Sequence, residues 1–322
     1  MGSARIHVGT SGWSYPDWLG IVYPAEVQRE HRKLAYLAQY FDCVEINNTF
    51  YRPPVASFCR KWLRDVRHNP NFSFTLKLWQ RFTHEREQPW EEHDVLTFRE
   101  GIAPLAEANR LGAILAQFPW SFTRTPENQD WLMRIANAFG EFPLAVEVRH
   151  ISWQHEEVLE LFRRHRLAWC NIDQPATRSS IGATNIATSA TAYYRFHGRN
   201  REKWFARDAG RDARYDYLYS EKELAPWIKN ISEMAERVEN IYVMANNHYR
   251  GQAPTNALQM KAALSGEKVP VPPLLAERFP ILKDIALLSF DSARGPQPAC
   301  EPWRVEGAGE MRGTFPRSAR PL

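Results

Sequence analysis

An apolar, strand-like run that stops on a charged or amide residue, followed by a stretch with helical periodicity, recurs along most of this chain. The runs end in Gly9-Thr10-Ser11, Glu45-Ile46-Asn47, Thr75-Leu76-Lys77, Gln117, Glu147-Val148-Arg149, Asn171-Ile172-Asp173, Arg195-Phe196-His197 and Asn246-Asn247. Strands that alternate with helices predict a parallel sheet with helical crossovers. Eight of them suit one closed sheet, a TIM-like (β/α)8 barrel. The polar strand ends then collect at the C-terminal mouth, where such barrels build their sites.

Helical faces follow most of the runs. Leu34, Leu37, Ala38 and Phe41 share one, as do Val55, Phe58, Cys59, Trp62 and Val66, and Val95, Phe98, Ile102 and Leu105. The spacing continues with Leu132, Ile135, Ala136 and Phe139, with Val158, Leu161 and Phe162, with Trp227, Ile231, Met234 and Val238, and with Ala257, Met260 and Leu264. These are the intervals of an apolar helix stripe. Residues 174–190 are small and polar and lack that period, so the sixth crossover is expected to be mostly loop.

The third run gives the clearest strand phase. Phe72, Phe74, Leu76 and Leu78 alternate with Ser73, Thr75 and Lys77, and successive side chains of a strand face opposite sides. If the apolar phase meets the helices, Lys77 projects into the mouth. The same phase groups His7, Gly9 and Ser11, Glu45 with Asn47, Glu147 with Arg149, and Arg195 with His197.

The 322 residues, 44% hydrophobic and 24% charged, suffice for one such barrel. The barrel domain is expected over 1–266. A proline-rich C-terminal extension follows over 267–322, with Pro270, Pro272, Pro273 and Pro280 and one more apolar run from Ile285 to Phe290. It is expected to pack partly on the barrel and to fray from about Ser292. The net charge of +4 carries no block of like charge and so names no partner. The four cysteines lack a C-x-x-C spacing; that, with no leader pattern and no long apolar run, predicts a cytoplasmic protein that spans no membrane. Its oligomeric state is not legible.

Several segments together are similar to one family. Val8-Gly9-Thr10-Ser11-Gly12-Trp13-Ser14-Tyr15, Glu45-Ile46-Asn47-Asn48-Thr49-Phe50-Tyr51, Ala116-Gln117-Phe118-Pro119, Val146-Glu147-Val148-Arg149-His150 with Trp153, Tyr194-Arg195-Phe196-His197-Gly198, and Asn246-Asn247-His248 with Gly251 resemble the DUF72, or YecE-like, proteins. The resemblance covers roughly residues 5 to 265. It implies a TIM-like barrel with a polar pocket, and it implies no particular reaction.

At a shared mouth, Lys77, Arg149, Arg195 and His197 would face Glu45, Glu147 and Asp173. Buried charges are costly unless paired or ligand-bound. One reading is an ion-pair network, for example Glu147 with Arg195 or Lys77 with Glu45, that only locks the barrel top. The other is a site for a small polar anion, a carboxylate or phosphate, gripped by guanidinium and ammonium groups. In that site Glu45, Lys77, Glu147 and His197 are the candidates for chemistry. Ser11, Trp13, Tyr15, Asn47, Gln117, Arg149, Trp153, Asp173, Arg195, Asn246 and Asn247 are the candidates for binding. A carboxylate whose pKa is raised by burial, or His197, would move protons. Lys77 beside two arginines is alternatively a Schiff-base nucleophile.

Other chemistries are less well served. Two glutamates invite a glycosidase reading, but strands two and five lie nearly opposite, so only the wide inverting separation fits. Glu45, Glu147, Asp173 and His197 would suit Mg²⁺ or Mn²⁺, yet three nearby cations oppose a metal, and no cofactor is predicted. Phosphate-binding glycine motifs are absent, although residues 247–254 lead into the last helix where barrels often hold phosphate. The runner-up function is a noncatalytic or metal-dependent barrel binding nucleic acid or a protein through its loops. It would use the charged segment from Gly198 to Ser220 and Arg304, Arg312, Arg317 and Arg320, although the mixed signs of that segment, with Arg207 and Arg211 among Asp208 and Asp212, favour a solvated loop or lid over a phosphate track.

Overall fold

The eight apolar runs become eight strands: β1 (Arg5–Ser11), β2 (Cys43–Ile46), β3 (Ser73–Lys77), β4 (Leu111–Gln117), β5 (Leu144–Glu147), β6 (Ala168–Asp173), β7 (Thr191–Phe196) and β8 (Asn240–Ala245). In the computed structural model, which describes residues 4–204 and 211–287, each strand pairs in parallel with the next. β1 also pairs with β8, which closes the barrel.

Helices Glu30–Leu37, Ala56–Asp65, Glu92–Glu107, Pro126–Phe139, Glu156–Arg164, Glu221–Met234 and Gln252–Ser265 fill the expected crossovers. Their stripes are buried: Phe98, Ile102, Leu105, Leu132, Ile135, Phe139, Ile231 and Met234 are shut off from solvent. One stripe differs from the sequence expectation. Val55 and Phe58 are 49% and 46% exposed, because Val55 is the extended residue before the helix. Cys59, Trp62 and Val66 make the contact alone.

The crossover after β6 holds no helix, as its composition predicts. Side chains take over the backbone pairing that a helix would supply. Asn171 accepts from the Ile186 amide at 2.9 Å and from the Thr184 hydroxyl at 2.8 Å, and Thr188 accepts from the Trp169 amide at 2.8 Å.

Strand phase fills the barrel. Cys43, Ala113, Leu115, Ala145, Ala168, Cys170, Ile172, Tyr193, Tyr242 and Met244 form a separate buried cluster. Small residues on β4, β5 and β6 leave room for the large side chains of β7 and β8. Gly112 shows how tight the fit is, since a Cβ there would stand 2.5 Å from the Tyr242 ring. The register between β3 and β4 shifts at this point, as a bulge does when it makes room.

Residues 267–287 lie against the barrel through buried Val269, Leu275 and Leu282. The rest of the extension lies outside the described residues, and with it Cys300, the arginines after Arg294, the end of the run to Phe290 and the expected fraying. No helix among the described residues is long and apolar enough to cross a membrane. Cys43, Cys59 and Cys170 are buried free thiols.

Candidate active site

The inward phase delivers charge to the top of the barrel. Arg195, wholly buried on β7, bridges two glutamates: Nη1 donates to Glu147 Oε2 at 2.5 Å and Nη2 to Glu45 Oε1 at 2.7 Å. Glu147 is also held by Arg149, whose Nε and Nη2 reach Oε1 at 2.9 and 2.6 Å. Glu45 accepts from the Ser11 hydroxyl and from Tyr193 Oη at 2.8 Å, and Tyr193 pairs in turn with Thr75 at 2.8 Å. Glu45, Glu147, Arg195 and His197 have no solvent exposure.

Two carboxylates and two guanidiniums therefore neutralise one another. Burial alone would raise both glutamates, but Arg195 and Lys77 hold Glu45 below the ordinary range, and Arg195 and Arg149 hold Glu147 well below it. Both are ionised at neutral pH. This corrects the expectation that one of them is a raised, proton-donating carboxyl: guanidinium contact outweighs desolvation here.

His197 is likewise set. Its Nδ1 lies 2.8 Å from the Asn246 amide nitrogen, which can only donate, so the ring proton sits on Nε2, 3.3 Å from Glu147 Oε1. Burial pushes its pKa down to about 4 despite Glu147. The ring is a neutral donor and orienting group, not a base poised near neutrality.

Lys77 stands apart from this network. Its ammonium makes no hydrogen bond or ion pair with a described residue; the Lys77–Glu45 pair considered above does not form. The Phe50 ring lies 5.7 Å from Nζ. Burial, then Arg195, lowers its pKa to about 8 against the pull of Glu45 and Glu147.

Lys77 lines a cavity of about 290 Å³ at the mouth, at the small end of the range for ligand sites. Of the binding candidates, Trp13, Tyr15, Asn47 and Asn246 line it too, together with Phe50 and Tyr51. The stack of Tyr15 on His248, with centroids 4.3 Å apart, forms one wall, and Tyr215 leans on the same imidazole at 5.0 Å.

Arg149 and Arg195, the other predicted cations, do not line the cavity. Arg195 lies beneath it, and Arg149 sits 5.8 Å from the Trp204 ring, which also flanks His197 at 6.1 Å. Trp204 belongs to the segment read as a lid. Around it, Tyr217 donates to Glu223, and Arg199 holds Asp173. Phe205, Arg207 and Asp208 lie outside the described residues, as does the Arg211 side chain.

Four binding candidates fall elsewhere. Asp173 follows inward-facing Ile172, so period two turns it outward. There it accepts from Arg199, from Tyr219 Oη at 2.7 Å and from Trp227 Nε1 at 2.8 Å. Asn247, one past inward-facing Asn246, ties Tyr217 to Asn256. Trp153 is carried back by the short 3-10 turn Ile151–Trp153, and its indole donates to Phe122 O at 2.6 Å. Gln117 is in register with Glu147 but does not line the cavity. With Asp173 on the other face, the four residues considered for Mg²⁺ or Mn²⁺ do not converge. The amide of Arg250, before the last helix, is taken by Asp17 at 2.6 Å, where a ligand phosphate was considered.

Other participants lie away from the polar strand ends. Tyr193 was recoverable, since it shares the phase of Arg195 and His197. Tyr215 and His248 sit in loops that carry no periodic signal. So does His84, whose pKa burial lowers to about 4 with Lys77 contributing.

Known proteins resemble this chain, some of them over most of its length. The UPF0759 protein YunF of Bacillus subtilis (strain 168) is 29% identical over 279 residues, covering 81% of this chain and 95% of that protein. The UPF0759 protein YecE of Escherichia coli (strain K12) is 30% identical over 148 residues, 45% of this chain and 48% of that one. A DUF72 family crystal structure from Thermotoga maritima MSB8 superposes with a TM-score of 0.72 at 38% identity, covering 81% of this chain and 99% of the other. One from Enterococcus faecalis V583 gives 0.72 at 28% identity, covering 81% and 96%. The family model described as "Protein of unknown function DUF72" matches residues 7–278, and this chain belongs to that family.

Proposed function

We propose that the mouth cavity is the active site of an enzyme acting on a small, polar, anionic metabolite. The observation that carries this reading is the Lys77 ammonium on the cavity wall. Beneath it, Glu45 and Glu147 are already matched by Arg195 and Arg149, so the lysine is excess positive charge in a half-buried position. A buried unpaired charge costs stability, and a ligand carboxylate or phosphate removes that cost when it binds. Asn47 and Asn246 offer amides on the same wall, and the Tyr15 and His248 rings offer flat surfaces.

The fixed protonation states constrain the chemistry. Glu45 and Glu147 stay ionised and His197 stays neutral across the neutral range, and together they preorganise the field at the mouth, which is the largest source of catalysis in many sites. Lys77 is the group whose protonation changes near working pH, so proton transfer falls to it.

Thermal shift with inorganic phosphate, sulfate and simple carboxylates tests the reading. At least one anion class is expected to raise Tm in the wild type and to fail in Lys77→Ala. If a folded Lys77→Ala protein responds to every anion as the wild type does, the cavity is not an anion site. Salt-sensitive oligonucleotide binding without any small-anion response would favour the noncatalytic reading.

A further inference from the structure

We propose that Lys77 is a covalent nucleophile, forming an imine with the carbonyl carbon of a small carboxylate or phosphate that also carries an aldehyde or ketone. This rests on the mouth cavity being an anion site, and it adds a bond to that reading.

Three features of the geometry point the same way. First, the amine faces open space: Lys77 lines the cavity, and its Nζ is engaged by no hydrogen bond or ion pair among the described residues. A structural lysine in a half-buried place is normally tied to a carboxylate, and the two carboxylates within electrostatic reach are occupied by guanidiniums instead. Second, the strand end fixes the side chain's origin. The Lys77 carbonyl accepts from Thr49 at 2.7 Å, and the Phe50 ring lies under the ammonium, so the amine is held at one point of the wall. Third, Arg195 on β7 and Arg149 just past β5 disfavour the protonated amine, while Glu45 and Glu147 favour a positive charge at the same place. The first effect supplies free amine to attack, and the second stabilises the iminium that results.

The step balances without a further reagent. The lone pair of unprotonated Nζ forms a bond to the carbonyl carbon, and the carbonyl π electrons move to oxygen. Transfer of the nitrogen proton to that oxygen gives a carbinolamine. One proton from solvent converts its hydroxyl to leaving water, and the C–O bond breaks as the C=N⁺ bond forms. Asn47 and Asn246 are the amides placed to hold the carbonyl oxygen, and the stacked Tyr15 and His248 rings shield the iminium from bulk water.

Borohydride trapping decides the matter. The full chain is incubated with pyruvate, glyoxylate, 2-oxobutyrate or glycolaldehyde phosphate, reduced, digested and mapped by mass spectrometry. The expected result is a saturable adduct on Lys77 with at least one of these, in excess over exposed lysines such as Lys229. It should be slowed by lactate for the 2-oxo acids or by inorganic phosphate for the aldehyde, and be lost in a folded Lys77→Arg variant. Adducts distributed equally over surface lysines, or no Lys77 adduct with any probe, overturn the imine. The two proposals separate cleanly. A Tm raised by lactate or phosphate without trapping leaves the anion site standing and removes the nucleophile, whereas no Tm response to any anion removes both.

Discussion

Glu147→Gln is the sharpest test of how the barrel top is held. The side chain is fully buried and accepts from Arg195 at 2.5 Å, from Arg149 at 2.6 and 2.9 Å and from His197 at 3.3 Å. The introduced amide keeps one acceptor oxygen but points an NH₂ group at a guanidinium and leaves two cations short of a counter-charge. Removing one partner of a buried pair costs about 3–5 kcal/mol. At about 2 °C per kcal/mol for a chain of this size, Tm falls by about 8 °C at pH 7. By contrast, Lys61→Ala removes a half-exposed i, i+4 pair with Asp65 and costs about 0.5 kcal/mol at most. The pH dependence supplies the sign. Arg195 and Arg149 hold Glu147 well below its usual 4.5 despite burial, so its stabilisation is complete above that pH and drains as pH falls toward its folded value. The variant should lose that part of the acid slope, so the two proteins converge on acidification. Urea unfolding at pH 7 and pH 4 measures both effects. A variant within 1 kcal/mol of wild type at pH 7 would refute the network as a buried, matched set.

Three further outcomes are expected. Gly9→Ala places a Cβ about 2.0 Å from the Cys43 carbonyl oxygen, a backbone atom that cannot swing away; overpacking costs about 1–3 kcal/mol or more, read as lost Tm or soluble yield, and a wild-type Tm would contradict the close approach. His197 should show no titration between pH 5 and 8 and an Nε2–H tautomer by imidazole ¹⁵N NMR, since burial places its pKa at about 4; a midpoint near 6.5 would sink the assignment. Asp173→Asn weakens the anchor for Arg199, Tyr219 and Trp227 and should cost about 2 kcal/mol, while leaving the pH midpoint of Lys77 acylation in place because Asp173 faces away from it. A shifted midpoint would return Asp173 to the mouth.

Period-two phase explains both what was legible and what was not. Ser11, Glu45, Lys77, Glu147 and Arg195 converge because each shares its strand's inward phase, and that phase can be read without coordinates. The same rule turns Asp173 and Asn247 to the other face, because each stands one residue past an inward-facing neighbour, Ile172 or Asn246. Pairing was harder. Sequence showed that opposite charges meet, but which of them cancel depends on side-chain reach across the barrel. Arg195 spans to β2 and β5 and so strands Lys77, whereas the sequence permitted a Lys77–Glu45 pair. Loops carry no such phase, so His84 and Tyr215 had no signal, His248 entered only through the family resemblance, and Trp153 was lost to a turn after β5.

The remaining question is why a barrel keeps five ionisable groups where apolar residues of similar volume would fold at least as well. Neutrality of the lower four makes sense if their work is to set the state of the fifth. Arg149→Met separates this from a packing role. It removes a cation that disfavours the Lys77 ammonium and frees Glu147 Oε1, which favours it. Both changes act in the same direction, so the pKa of Lys77 must rise from about 8 toward its ordinary 10.5. The rate of Lys77 acylation, followed by peptide mapping across pH, reports that midpoint directly, and at pH 7 the rate should drop in proportion to the lost free amine. The pH dependence of stability changes with it: with the lysine less perturbed, the gain in stability on raising pH from about 8 toward 10.5 in the wild type should shrink, because folded and unfolded lysine then bind protons more nearly alike. A midpoint that stays at about 8 would mean that burial and Arg195 alone set the amine, and that Arg149 serves only to hold Glu147 in place.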